Sequence, residues 1–135
     1  MNNYDPKLKE IIESSTFKTE DGLYVYAKVN SVESLDEHFM ASKDSDEITV
    51  VTKIENLKNL DLIEKNKESY NIIGLNVSIP FYSVGFLATV TSAIANQGMN
   101  VLVVSTYSKD YILVKSEVLN KAKEVLIDLG FKEVD

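Results

Sequence analysis

The sequence predicts an α+β protein made of two ferredoxin-like units with antiparallel sheets, the first incomplete and the second complete. The second part of the chain alternates strand and helix patterns in the order βαββαβ, which is the ferredoxin-like order. The first part gives αββαβ, the same order without its opening strand. Between them, residues 55–69 are rich in Lys, Glu and Asn, as surface linkers are. We therefore predict an incomplete unit at residues 1–54, a linker at 55–69 and a complete unit at 70–135.

The first part opens with a helix and a hairpin. Apolar residues at helical spacing follow Asp5-Pro6, a pair that suits a helix start, and they predict a short amphipathic helix. Asp21-Gly22 favours a tight hairpin turn. We therefore expect the short strand before this turn to pair with the alternating strand at residues 23–29.

A second helix is predicted between two strands of the first part. Ser34 with Glu37 three residues later has the capping-box pattern, which predicts a short helix that ends near Met40. A polar break follows, and apolar and polar residues alternate again at 48–53, as in a half-buried strand. This pattern completes the predicted order of helix, two strands, helix and strand.

The second part has sharper signals. Alternating apolar residues predict a strand at 73–79, and Pro80 ends it because proline cannot donate a ladder hydrogen bond. A helical stripe follows as far as Gly98, which suits the left-handed end of a helix. Residues 101–106 are almost wholly apolar, which is typical of a strand covered on both faces. A strand at 111–115, a helix and a final short strand complete the unit.

This strand order brings two polar turns to one edge of the sheet. The turn after the first strand of βαββαβ lies beside the hairpin between the second and third strands, because crossovers are right-handed. Free amides at the helix start favour a carboxylate, and Asp110 could hold an ammonium or guanidinium group. We therefore predict a pocket for a zwitterion such as an amino acid where the turn Tyr82–Gly85 lies beside the hairpin Thr106–Tyr111.

Four residues at these turns also have a purely structural interpretation. Gly85 could relieve crowding at a tight strand–helix turn instead of admitting a ligand. Asp110 is an ordinary hairpin residue type. Ser105 and Thr106 could serve as hydrogen-bonding groups at a strand end.

Composition and charge exclude several classes of function. The net charge is −7, and all 14 basic residues are lysines. Arginine, the residue that usually recognises guanine and phosphate, is therefore absent. The absence of cysteine excludes a disulfide framework and a zinc–thiolate site and fits a reducing compartment. No signal region opens the chain, and no apolar run approaches the ~20 residues that a bilayer requires. We therefore expect a cytoplasmic protein without nucleic-acid or membrane partners.

Catalysis has no visible constellation of residues. The one histidine, His38, has no serine–acid pair around it in the sequence, and there is no cysteine nucleophile. Neither a phosphate loop nor a dinucleotide fingerprint occurs. The calcium-loop pattern that begins at Asp44 fails at its glycine position, where Thr49 stands. We expect no enzyme activity, no cofactor and no metal site.

Several segments of the second part together resemble the ACT domain. They are Val84-Gly85-Phe86-Leu87-Ala88 at the turn, Asn96-Gln97-Gly98 at the helix end, and Val104-Ser105-Thr106-Tyr107 with Asp110-Tyr111-Ile112-Leu113-Val114 at the hairpin. More specifically, the chain is similar to the small tandem-ACT proteins related to the eukaryotic cytosolic arginine sensors. ACT domains are regulatory modules that bind amino acids, usually at an interface between two domains. The resemblance implies that the candidate site residues, which would contact the ligand, are Ser83, Val84, Gly85, Ser105, Thr106 and Asp110.

The resulting hypothesis is a small amino-acid-binding regulatory or sensor protein. Because the first part lacks the opening strand, it also lacks the matching turn, and we expect a homodimer to supply the facing edge. The alternative is a structural or protein-interaction module that has the same fold and binds no ligand. The sequence leaves open which amino acid is bound and which protein responds.

Overall fold

The computed structural model describes residues 4–77 and 83–135. Short 3₁₀ helices lie at Ile54–Asn59 and Ser116–Val118. In the described residues, no helix is long and apolar enough to cross a membrane. The other elements are α1 (Leu8–Glu13), β1 (Thr16–Thr19), β2 (Tyr24–Val29), β3 (His38–Lys43), β4 (Ile48–Lys53), β5 (Leu62–Lys65), β6 (Tyr70–Asn76), α2 (Phe86–Asn96), β7 (Leu102–Ser105), β8 (Asp110–Lys115), α3 (Leu119–Leu129) and β9 (Lys132–Glu133).

The chain forms two compact units with bounds that differ from the predicted ones. The first unit is Met1–Glu20 with Asn71–Asp135, and the second is Asp21–Tyr70. The sequence assigned α1 and β1 to an N-terminal unit, whereas the structure places both with the C-terminal part. The predicted linker at 55–69 is instead part of the second unit, since it contains a 3₁₀ helix and the paired strand β5.

In the first unit, β1 is inserted between β6 and β9. β1 pairs antiparallel with β6, where Phe17 lies opposite Leu75, and it pairs parallel with β9. β8 pairs with β6 on the other side, and β7 pairs antiparallel with β8. The strands run in the order β9-β1-β6-β8-β7. The ferredoxin-like order of β6, α2, β7, β8, α3 and β9 is as predicted, with β1 as an added strand.

The core of the first unit joins its helices and strands through buried apolar side chains. Phe17, Ile73 and Leu75 on the strands are fully buried, as the alternation along β6 predicted. Each helix contributes its apolar stripe to the same cluster. The buried members are Leu8, Ile12, Phe17, Ile73, Leu75, Phe86, Val90, Ile94, Met99, Ile112, Val114, Ala122, Leu126 and Phe131.

The second unit is an antiparallel sheet with β2 in an inner position. β2 pairs with β4 along its whole length and with β5 near its end, while β3 pairs with the other side of β4. Ala27, Val29 and Val50 are buried, and Leu57 and Leu60 pack against them. The 3₁₀ helix after β4 thus covers part of this small core.

The predicted helix from Ser34 to Met40 is wrong. The Ser34 hydroxyl accepts a hydrogen bond from the amide of Asp36, two residues on, and not from the amide of Glu37 that a capping box requires. The Glu37 carbonyl accepts from Asn56 Nδ2, and β3 begins at the next residue and pairs with β4. Fewer than two helical turns were available there, and so short a helix is marginal unless packing supports it. The strand ladder supplies the backbone hydrogen bonds instead.

Two further strand predictions need correction. Asp21-Gly22 does not close a hairpin, because β1 pairs with β6 and β9 and not with β2. β7 is not covered on both faces, since its residues alternate between half-buried and exposed, and Val103 is 40% exposed. Among the described strands, β7 pairs with β8 alone and lies at the edge. Pro80 and the predicted end of the first strand lie outside the described residues.

Replacement of Phe17 tests whether β1 belongs to the core of the first unit. We expect Phe17→Ala to lower the free energy of unfolding by about 3–5 kcal/mol, because it removes a fully buried ring and leaves a cavity. Ile127→Ala, on the exposed face of α3, is the control and should change the free energy of unfolding by less than about 0.5 kcal/mol. Urea denaturation followed by circular dichroism measures both. Equal effects of the two substitutions would contradict the placement of β1.

Candidate functional site

A cavity of about 330 Å³ lies in the first unit beside the start of α2. This volume is near the lower end of the range of small-molecule pockets, about 300–1,000 Å³. Five of the six predicted site residues line it: Ser83, Gly85, Ser105, Thr106 and Asp110. The prediction that turn and hairpin meet at one edge is therefore confirmed as geometry, and it follows from the pairing of β6 with β8. The role of these residues as ligand contacts stays a prediction.

Val84 is the predicted site residue that does not line the cavity. Its side chain is 59% exposed, and its carbonyl accepts a hydrogen bond from the amide of Asp5 at 2.9 Å. Val84 therefore fastens the N-terminal segment to the turn. Tyr82, which the sequence also placed at this turn, lies outside the described residues.

The cavity also has an apolar wall and two loop residues that were not predicted from the sequence. Leu75 lies in β6, and Val77 directly follows this strand. Both are on the face that the alternation of apolar residues in the sequence predicted to point toward the core. Ser108 and Lys109 could have been predicted from the hairpin, because they lie between the candidate residues Thr106 and Asp110. The first turn of α2 supplies Phe86, Leu87 and Ala88.

The hairpin between β7 and β8 is held by hydrogen bonds that also orient Asp110. Ser105 and Asp110 are opposite each other in the ladder, and Ser105 Oγ donates to Asp110 Oδ1 at 2.6 Å. The Thr106 amide donates to the Lys109 carbonyl at 2.8 Å, and Thr106 Oγ1 donates to the same oxygen at 3.1 Å. The Thr106 hydroxyl therefore has the structural role considered above, that of a hydrogen-bonding group at a strand end. A carboxylate accepts up to about four hydrogen bonds, so Asp110 keeps capacity for a cationic ligand group.

Residues at the start of α2 line the cavity. The Phe86 amide donates to the Ser83 carbonyl at 3.3 Å, and the Thr89 amide donates to the Gly85 carbonyl at 2.9 Å. The intervening amides of Leu87 and Ala88 donate to no residue that the structure describes, and both residues line the cavity. Amides that lack a partner among the described residues, together with the helix dipole, favour a carboxylate at this point.

Gly85 is required by its backbone conformation and by an aromatic neighbour. Its φ of 92° is in the left-handed region, where a side chain is disfavoured. A Cβ atom added there would lie 2.5 Å from two carbons of the Tyr4 ring, which covers the glycine from the N-terminal segment. The predicted alternative, relief of crowding at the turn, is therefore present in the structure.

Charge at the site is concentrated in the hairpin. Lys109 and Asp110 carry the charges among the described residues that line the cavity. Burial raises the pKa of the adjacent Tyr111, and the carboxylate of Glu20 raises it further, so this hydroxyl is neutral at physiological pH. In residues 4–77 and 83–135, no group of three or more His, Cys, Asp or Glu side chains could hold a metal ion.

A comparison with protein families matches residues 68–128 to the ACT domain. The matched segment includes the cavity-lining residues of α2, β7 and β8. No relative was found among curated protein sequences. The sequence resemblance to the ACT domain is therefore confirmed over this segment.

Several solved structures share this fold, and their alignments cover nearly the whole chain. A Vibrio cholerae protein of unknown function is 23% identical, with a TM-score of 0.78, and the alignment covers 92% of this chain and 96% of that one. An Agrobacterium tumefaciens protein is 20% identical, with a TM-score of 0.71 and coverages of 89% and 92%. The ligand-free regulatory subunit of aspartate kinase from Thermus thermophilus is 8% identical, with a TM-score of 0.56 and coverages of 84% and 95%. At these identities the likeness shows the fold alone.

Glycine substitutions test the contact between Tyr4 and the turn. Gly85→Ala and Gly98→Ala both force a side chain into the left-handed region, at about 1–2 kcal/mol each, but only Gly85 has a neighbour that the new methyl group meets. We expect Gly85→Ala to lower the free energy of unfolding by about 1 kcal/mol more than Gly98→Ala. In a Tyr4→Ala background this difference should disappear. Equal costs in the wild-type background, measured by urea denaturation, would show that Tyr4 does not cover Gly85.

Proposed function

We propose that this protein is an amino-acid-binding regulatory protein of the ACT type, and that the amino acid occupies the cavity at the start of α2. The observation that carries the proposal is the meeting of the Gly85 turn and the Asp110 hairpin at one cavity. The ACT-domain match over residues 68–128 and the fold shared with a regulatory subunit of aspartate kinase support a ligand-binding regulatory role. A cytoplasmic location and the absence of catalysis belong to the same proposal.

The two charged ends of an amino acid find opposite partners in this cavity. The ligand carboxylate would accept hydrogen bonds from the amides of Leu87 and Ala88, with the Lys109 ammonium nearby. The ligand ammonium would bind the Asp110 carboxylate, which Ser105 holds in place. Both partners are fixed before binding, by the helix start and the hairpin respectively. Preorganisation of this kind lowers the entropic cost of binding.

A second copy of the chain would close the site. The hairpin side of the cavity is exposed at Ser105, Thr106 and Lys109, and the neighbouring edge strand β7 exposes Val103. We infer a homodimer in which the partner covers this side, as the resemblance to ACT domains implies. The ligand would then favour the association geometry that completes its own site, which is the thermodynamic basis of regulation. The finer similarity to cytosolic arginine sensors stays a prediction from the sequence.

Thermal denaturation with each of the twenty amino acids tests whether the protein binds one. A ligand specific to the folded state at tenfold excess over its Kd contributes about 1.4 kcal/mol and should raise the Tm by several degrees. If no amino acid at millimolar concentration raises the Tm, the alternative of a ligand-free structural or interaction module is favoured.

Substitution of Asp110 tests the ammonium contact. Asp110→Asn keeps an oxygen that accepts the hydrogen bond from Ser105 but removes the charge. We expect the affinity for the amino acid found above to fall about 10- to 100-fold, since a hydrogen bond to a charged group is worth about 1.5–3 kcal/mol. Asp128→Asn, on the exposed side of α3, is the matched control and should leave the affinity unchanged. Calorimetry that finds the wild-type affinity in Asp110→Asn rules out this contact.

A further inference from the structure

The lining of the cavity changes from polar to apolar between its mouth and its interior. The hairpin residues at the mouth, including Thr106, Ser108 and Lys109, are exposed. On the inner side, Leu75 is fully buried and Phe86 is 5% exposed. Val77 and Leu87, which also line the cavity, pack against the hydrophobic core. A ligand that enters between the polar groups therefore meets an apolar wall at its far end.

In the part of the lining that the structure describes, the charged groups match the two ends of an amino acid and none remains. Among the described residues that line the cavity, Asp110 is the carboxylate and Lys109 the ammonium, and they are adjacent in the hairpin. If they and the helix amides bind the ligand's own zwitterion, a charged ligand side chain would lie unpaired against Leu75 and Phe86. An unpaired charge in an apolar environment is strongly unfavourable, whereas an apolar group there is stabilised by its removal from water.

We propose, on the basis of the function proposed above, that the ligand is an amino acid with an apolar side chain, and that this side chain lies against the wall formed by Leu75, Val77, Phe86 and Leu87. Lysine, arginine and aspartate are poor ligands for this site. Discrimination arises at the far end of the ligand, while the zwitterion end is common to all amino acids.

Matched pairs of amino acids test this selectivity by calorimetry on the full chain. Norleucine and lysine share a four-carbon stem, but lysine carries an ammonium group where norleucine ends. We expect norleucine to bind about 100-fold more tightly than lysine. Leucine and asparagine have similar shapes, and we expect leucine to bind about tenfold or more tightly than asparagine. Glycine, which has only the zwitterion, should bind more weakly than norleucine.

A variant at the wall separates contact from general effects on the fold. Val77→Thr keeps the side-chain shape but replaces one methyl group of the wall with a hydroxyl group. We expect its affinity for norleucine to fall about fivefold or more while its affinity for glycine stays unchanged. The Tm without ligand, compared with that of the wild type, reports whether the variant is folded.

The outcomes distinguish the ligand class from the proposed function. If lysine, arginine or aspartate binds as tightly as norleucine, the inference is overturned and the proposed amino-acid site stands. If neither norleucine nor any of the twenty amino acids binds at millimolar concentration, both are overturned. Tight binding of norleucine with loss of affinity in Val77→Thr supports the apolar wall as the specificity-determining surface.

Discussion

Insertion of β1 between β6 and β9 is the constraint on which the first unit depends. It gives β6 a partner on each side, β1 and β8, and so fixes β6 as an inner strand. Phe17, carried by β1, is fully buried in the same cluster as the apolar residues of α2 and α3. An inner β6 beside β8 also brings Val77, which directly follows β6, to the same cavity as Asp110 at the start of β8. The position of the candidate site is thus a consequence of strand order, and no single loop determines it.

At the site, several residues combine a structural role with the ligand-binding role proposed for them. Ser105 fixes the hairpin and at the same time orients a carboxylate, and Gly85 both permits the turn and accommodates an aromatic ring. The structural interpretation of a residue is therefore not a rival to a ligand-binding role. When hydrogen bonds within the protein already fix a side chain, its polar atoms keep one position. The binding of a ligand to these atoms then requires little rearrangement of the protein.

Sequence reasoning succeeded where a pattern is local and periodic. The strand β6, the helix α2 and the hairpin before Asp110 follow from alternation, helical spacing and turn chemistry that a short window contains. The partner of β1 could not be predicted, because four residues do not specify which distant strand will pair with them. The helix predicted after Ser34 failed for the same reason, since pairing with β4 outweighed a local capping signal. The apolar wall went unnoticed because its residues are indistinguishable in sequence from ordinary core residues.

The position of Tyr4 over Gly85 has a practical consequence for optical measurements. The chain contains no tryptophan, so its ultraviolet emission comes from tyrosine alone. An indole introduced by Tyr4→Trp would be the single tryptophan of the chain, beside the turn that borders the cavity, and it can be excited at wavelengths where tyrosine absorbs little. Its emission wavelength would report the local polarity there, and changes at this edge could be followed in real time without an external dye.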